Sequence, residues 1–141
     1  SEIFGANLEK NATRTIISEN EFTANQFAAI SASEKSDSTV IDGNTIRKNS
    51  LGIFMKSEEE VMNDPIIRNN TIFWGEDEGI YLSNIAYAKI TRNKIYGNQD
   101  DGIEIEYGFD ISIQDNTIYS NHGCGVTIET LRNDNKIIKN E

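Results

Sequence analysis

The chain has 141 residues, a formal net charge of −10 and a pI near 4.5, and 22 isoleucines stand against 4 leucines. That length fits a single domain spanning 1–141, the β-branched bias favours strands over helices, and the acidic balance speaks against nucleic acid or an anionic membrane surface as partner. No apolar run approaches the roughly 20 residues of a membrane span, and one cysteine, Cys124, with one histidine, His122, gives neither an intrachain disulfide nor a zinc set.

In chain order, Gly5-Ala6-Asn7-Leu8 reads as a strand entered in mid-coil, and a repeat then begins. Its anchors are Asn20, Asn44, Asn70, Asn93, Asn116 and Asn140, separated by 24, 26, 23, 23 and 24 residues. Three positions before each comes Ile17, Ile41, Ile67, Ile90, Ile113 and Ile137. Two positions after the first five comes Phe22, Ile46, Ile72, Ile95 and Ile118, and five positions after comes Asn25, Asn49, Gly75, Asn98 and Asn121. A small residue then opens a longer alternating strand at Ala29-Ile30, Gly52-Ile53, Gly79-Ile80, Gly102-Ile103 and Gly125-Val126. Polar stretches at Ser33 to Ser38 and Lys56 to Pro65 interrupt two coils and read as surface loops.

Each unit holds two or three short strands of period-2 alternation and no segment long enough for a crossover helix. Strands that repeat this way must stack on their equivalents one coil away, so that aligned isoleucines build a core no single coil could bury. The predicted fold is all-β, a right-handed parallel β-helix solenoid of about five to six coils. Leucine-rich repeats share the period but need leucine at most core positions. The asparagines read as turn ladders rather than ligands, because Asn tolerates left-handed backbone and stacked amides can hydrogen-bond between coils. Register that starts and stops within a coil suggests a segment of a longer solenoid, or ends that stack on another molecule or a second copy.

The pattern Ile-x-x-Asn-x-Ile-x-x-Asn followed by Gly-Ile-x-Ile resembles the parallel β-helix repeats of carbohydrate-binding and sugar-hydrolase proteins of the pectin-lyase-like group. That group includes mannuronan C5-epimerases, polygalacturonases, polysaccharide lyases and the copper-maturation periplasmic proteins of nitrous oxide reductase. The resemblance covers nearly the whole chain and implies a secreted or cell-envelope protein that meets polysaccharide along one sheet. It is specific for fold and weak for activity. An epimerase-like Asp-Pro-His is missing from the coil of Gly79-Ile80-Tyr81-Leu82-Ser83, although Glu106 matches that family's acid position on the next coil. Polygalacturonases place Asn-Thr-Asp, Asp-Asp and Gly-His-Gly on successive coils; here the matching positions read Glu76-Asp77-Glu78, Asp100-Asp101 and Gly123-Cys124-Gly125. The acids match in kind, Cys124 stands in place of the histidine, and the later Arg-x-Lys has no counterpart.

Two groups of residues exceed what the fold requires. Neighbouring coils lie about 4.8 Å apart, so Glu78 should stack on Asp101 and Asp77 on Asp100, with at least one carboxyl pKa raised. As catalytic residues, Glu78, Asp100 and Asp101 would suit an inverting polysaccharide hydrolase, whose carboxyls stand roughly 6.5–9.5 Å apart. The oxygens of Asp77, Glu78, Asp100 and Asp101 equally suit calcium, and acids in turns also occur with no role at all. The second group faces outward from the strand after the small residue: one column runs Asn7, Ser31, Phe54, Tyr81, Glu104, Thr127 and its neighbour Glu9, Ser33, Lys56, Ser83, Glu106, Glu129. Phe54, Tyr81, Glu104, Glu106, Glu129 and nearby Tyr107 offer rings for apolar sugar faces and carboxylates for hydroxyls. Rings on an exposed sheet also stack for stability alone. Three functions therefore stand side by side: a carbohydrate-interacting segment, a polysaccharide hydrolase, and a structural stalk or oligomerisation module.

Overall fold

A computed structural model describes residues 4–130 and 134–141. Every strand pair in it is parallel and joins residues one coil apart, so the chain is a β-solenoid of about six turns with three faces. The long sheet stacks Phe4–Leu8, Ala28–Ser33, Leu51–Lys56, Ile80–Ser83, Ile103–Glu106 and Val126–Glu129. A second sheet stacks Ile16–Ser18, Val40–Asp42, Ile66–Arg68, Lys89–Thr91, Ser112–Gln114 and Lys136–Ile138, and a third stacks Glu21–Thr23, Thr45–Arg47, Thr71–Phe73, Lys94–Tyr96 and Thr117–Tyr119. No helix among the described residues is long and apolar enough to cross a membrane.

The repeat dictates this arrangement. Ile41, Ile67, Ile90 and Ile113 line one inner wall, Ile46, Ile72 and Ile95 a second, and Ile30, Ile53, Ile80 and Ile103 the third, all essentially inaccessible to water. Each such side chain contributes about 1.5–3 kcal/mol by leaving water. The small residue that opens each long strand answers a steric demand: a Cβ on Gly79 would lie 2.7 Å from the Gly102 carbonyl oxygen of the next coil and equally close to Ile95.

The corners use the asparagines differently from the expectation. Left-handed backbone falls on the residue before each anchor, at Glu19, Gly43, Asn69, Arg92, Asp115 and Lys139, and before each second corner at Ala24, Lys48, Trp74, Gly97 and Ser120, with φ between 50° and 68°. The asparagines keep ordinary backbone because that preceding residue makes the bend, which aims their main-chain and side-chain amides along the solenoid axis. Nδ2 of Asn44 donates to Oδ1 of Asn70 at 3.1 Å, Asn70 to Asn93 at 3.0 Å, Asn93 to Asn116 at 3.0 Å and Asn116 to Asn140 at 2.9 Å. The same Oδ1 atoms also accept the main-chain N–H of the preceding asparagine, and each Nδ2 reaches back to a core isoleucine carbonyl such as Ile41. The second corner repeats this between Asn25 and Asn49 and between Asn98 and Asn121, and breaks at Gly75, which keeps only a main-chain donation to Asn98.

The interruptions are less superficial than expected. Lys56 to Pro65 carries the two-residue strand Met62–Asn63, paired with Ile85–Ala86, and Met62 is fully buried. Glu34 of the earlier loop accepts hydrogen bonds from the Ser57 hydroxyl at 2.8 Å and from the Glu58 N–H, which hold its carboxyl below the usual range and tie the two loops into one wall.

Asn70→Ala removes two Nδ2 donations and the acceptor for two Asn44 donors in a dry corner, so thermal or denaturant unfolding should show a loss of about 2–4 kcal/mol, given about 1–3 kcal/mol per stranded buried group. Asn20→Ala at the exposed first rung should cost under about 1 kcal/mol, the net worth of an ordinary hydrogen bond. Equal losses at the two positions would contradict the ladder account.

Candidate functional site

The long sheet carries both outward columns in the register read from the sequence. Ser31 pairs with Phe54, Phe54 with Tyr81, Tyr81 with Glu104 and Glu104 with Thr127, while Lys56 pairs with Ser83, Ser83 with Glu106 and Glu106 with Glu129. Along the solenoid axis this face changes from aromatic to acidic at Tyr81.

On the aromatic side two rings extend the column that the sequence suggested. Phe4 and Phe27 lie 5.2 Å apart with planes crossed at 76°, Phe27 and Phe54 lie 5.3 Å apart at 77°, and Phe54 and Tyr81 lie 5.3 Å apart and nearly parallel at 10°. Phe54 and Tyr81 thus stack on one another, which gives both readings of these rings some ground: the pair braces the sheet, and it also fixes one end of a groove. Phe27, crossed against both neighbours, has no ring stacked parallel to it. Phe4, Phe27 and Phe54 line this groove of about 780 Å³ together with Asn7, Ser31, Lys56 and the loop wall at Glu34 and Glu58. A second depression of about 490 Å³ shares Lys56 and Glu58 and continues past Ser83 to Tyr107, a left-handed corner residue that is 63% exposed.

On the acidic side the pairing differs from simple vertical stacking. The Glu78 carboxyl reaches Glu104 on the next coil rather than pairing with Asp101. Burial pushes Glu78 up to about 8, and the hydrogen bond to Glu104 and the charge of Asp77 push the same way against its own main-chain N–H. Glu104 is also raised, by burial first, although the bond from Glu78 lowers it. At neutral pH the proton therefore sits on Glu78, which donates to Glu104. The Tyr81 hydroxyl donates to Glu106 Oε2 at 2.6 Å, and burial followed by that bond pushes it up to about 12.

Asp101 is engaged in the turn of the next coil, where its Oδ1 accepts the Cys124 N–H at 2.6 Å. Gly123 fits against this turn because a Cβ there would meet Asp101 Oδ1 at 2.2 Å and Asp100 Oδ1 at 2.7 Å. Asp77, Glu78 and Asp100 bring one oxygen each within 4.8 Å of the other two, tighter than the roughly 6.5–9.5 Å spacing of an inverting pair. These three oxygens could hold a cation; calcium takes about six to eight oxygen ligands, and Glu78 would first have to release its proton. Glu129 is exposed at the far end of its column, and the Cys124 thiol is exposed as well.

Another ring column lies on the third sheet, outside the residues singled out from the sequence. Phe73, Tyr96 and Tyr119 stack at 5.0 Å, within 5° of parallel, with Trp74 across Phe73 and Lys94 over two of the rings. They occupy the position three residues after each anchor Asn, so reading one residue beyond the core isoleucine would have found them. Their faces cover one another, and the column serves as a brace on that sheet.

The family described as right handed beta helix region matches residues 4–141, and the chain belongs to it. The handedness and fold expected from the repeat hold. Neither the curated proteins nor the solved structures compared with the chain give a match.

The Glu78 carboxyl sets a pH dependence whose sign is fixed. Its folded pKa of about 8 lies above the ordinary 4.5, so its stabilising contribution is complete below pH 4.5 and declines as pH rises towards 8. Glu78→Gln keeps a donor towards Glu104 and removes that proton linkage. Melting temperatures from pH 5 to 8.5 should fall less steeply in the variant, which overtakes the wild type at the alkaline end; parallel curves would contradict the assignment.

Proposed function

We propose that this β-helix is a carbohydrate-interacting segment of an extracellular or envelope protein, which takes a glycan chain lengthwise along the outward face of its long sheet. The observation that carries the reading is the groove lined by Phe4, Phe27 and Phe54 and bounded by the wall at Glu34 and Glu58. Its volume of about 780 Å³ suits a few sugar residues. Phe27 supplies an apolar ring surface for the C–H face of a sugar, Asn7 and Ser31 offer neutral polar groups, and Glu104 and Glu106 accept hydroxyl hydrogens farther along. An elongated ligand fits better than a compact one because the two depressions share a rim at Lys56 and Glu58.

A hydrolase is the second reading, and the protonated Glu78 is what favours it. A carboxyl that keeps its proton at neutral pH can act as a general acid. The hydrogen bond from the Cys124 N–H to Asp101 and the close packing of Asp77, Glu78 and Asp100 leave less room for an attacking water, so binding without cleavage is the preferred outcome.

Wild-type protein and Asp101→Asn should be incubated with a panel of neutral, basic and acidic polysaccharides while bound fraction and reducing ends are followed. The expected result is binding with no rise in reducing ends in either protein. Cleavage lost in Asp101→Asn would establish the hydrolase, and neither binding nor cleavage would leave a structural stalk. Phe27→Ala should weaken binding about tenfold, or about 1.4 kcal/mol, at an unchanged fold, whereas Tyr119→Ala on the third sheet should leave affinity unaltered.

A further inference from the structure

Most strand cations lie off the long sheet, where Arg47 and Arg68 are paired with Glu21 and Asp42. Lys89, Arg68 and Lys136 belong to the second sheet, and Arg47 and Lys94 to the third. On the outward columns of the long sheet Lys56 stands against Glu104, Glu106 and Glu129, and it is the one cation among the residues lining the two depressions. Even that lysine is partnered, with its Nζ 3.4 Å from Glu58 Oε1. Glu9, Glu34 and Glu58 add carboxylates to the groove itself.

The acids are also placed at a cost to the fold. Glu106 and Glu129 are direct neighbours in the parallel register, and like charges directly opposite on a sheet destabilise it. No cation is paired with Glu129 among the salt bridges of the described residues, while Lys10, Lys35 and Arg68 are committed to other carboxylates. Such a face repels uronate or sulfate groups and attracts an ammonium. Hydroxyls and ammonium groups can both donate to these carboxylates, but only the ammonium adds the attraction of opposite full charges.

We infer that the long-sheet face selects a glycan bearing free amino groups, a polymer of deacetylated amino sugars, with a sugar ring over Phe27 in the groove and ammonium groups towards Glu104, Glu106 and Glu129 on the coils beyond it. This rests on the glycan reading of the groove and names the substrate class for it. Lys56 then has a second effect: held by Glu58 at the rim, it keeps the two depressions from being uniformly anionic and sets where along the groove an ammonium is welcome.

Three hexasaccharides separate the outcomes: glucosamine, N-acetylglucosamine and galacturonate, measured by calorimetry against the intact chain at low and high salt. The glucosamine hexamer should bind at least tenfold more tightly than its acetylated counterpart at low salt, with the advantage mostly gone near 1 M salt, where the screening length is only about 3 Å. Galacturonate should bind most weakly. Replacing both carboxylates in E104Q/E106Q should reduce glucosamine affinity at least tenfold and acetylated-hexamer affinity far less, and Phe27→Ala should weaken both. Equal affinity for the glucosamine and acetylated hexamers, or a preference for galacturonate, would overturn the amine selectivity while leaving the glycan groove standing. Glucosamine binding that Phe27→Ala does not weaken would overturn it as mere attraction to an acidic surface, and no binding by any of the three would overturn the groove reading itself.

Discussion

The stacked asparagine amide is the interaction on which the rest of this structure depends. Each inner Asn of the first corner joins its own coil to both neighbours, with Oδ1 taking two donors from the coil before it and Nδ2 bonding both a core carbonyl and the next Asn. Such an amide is satisfied only when the coils stay in register, so a slip of one residue would strand several polar groups in a dry corner. The bend that allows this is made by the residue just before, held in left-handed backbone at about 1–2 kcal/mol for residues such as Glu19, Arg92 and Lys139 and less for Gly43, Asn69 and Asp115. Hydrogen bonds and the isoleucine columns offset that strain.

A fixed register turns a one-dimensional sequence into vertical columns, and that is why so much of the molecule could be read beforehand. The isoleucines and anchor asparagines recur at nearly constant spacing, and both outward columns of the long sheet followed by counting from the small residue. What escaped counting depends on local geometry. The left-handed position is filled by Glu19, Gly43, Asn69, Arg92, Asp115 and Lys139, a set with no common chemistry, so nothing in the sequence marks it. Phe4 and Phe27 lie ahead of the small residue that opens the alternating strand, outside the register of Phe54, and Phe27 bridges the rings of Phe4 and Phe54 from just before the strand Ala28–Ser33. The Glu78 side chain bonds to Glu104, which counting along the columns did not pair it with.

The same columns explain how a stable scaffold tolerates an unfavourable face. Its core and corners are saturated with contacts, and no buried side-chain nitrogen or oxygen among the described residues lacks a partner. That surplus lets the long sheet keep a half-buried protonated glutamate, an in-register pair of glutamates and an aromatic-lined groove, none of which the fold needs. Rings on the third sheet show the contrasting case: they spend their faces on one another and brace the wall. Two aromatic columns on one solenoid thus differ in ring orientation, with crossed planes at Phe27 and parallel planes at Tyr96.

Because coils are rigidly registered, a ligand on the long sheet should leave a linear footprint. Amide chemical-shift mapping during titration with a glycan oligomer tests this most directly. The account predicts changes running through Phe27, Ser31, Phe54, Tyr81 and Glu104, one rung after another, with Phe73, Tyr96 and Tyr119 unmoved. Changes centred on the third sheet, or scattered over all three faces, would contradict it.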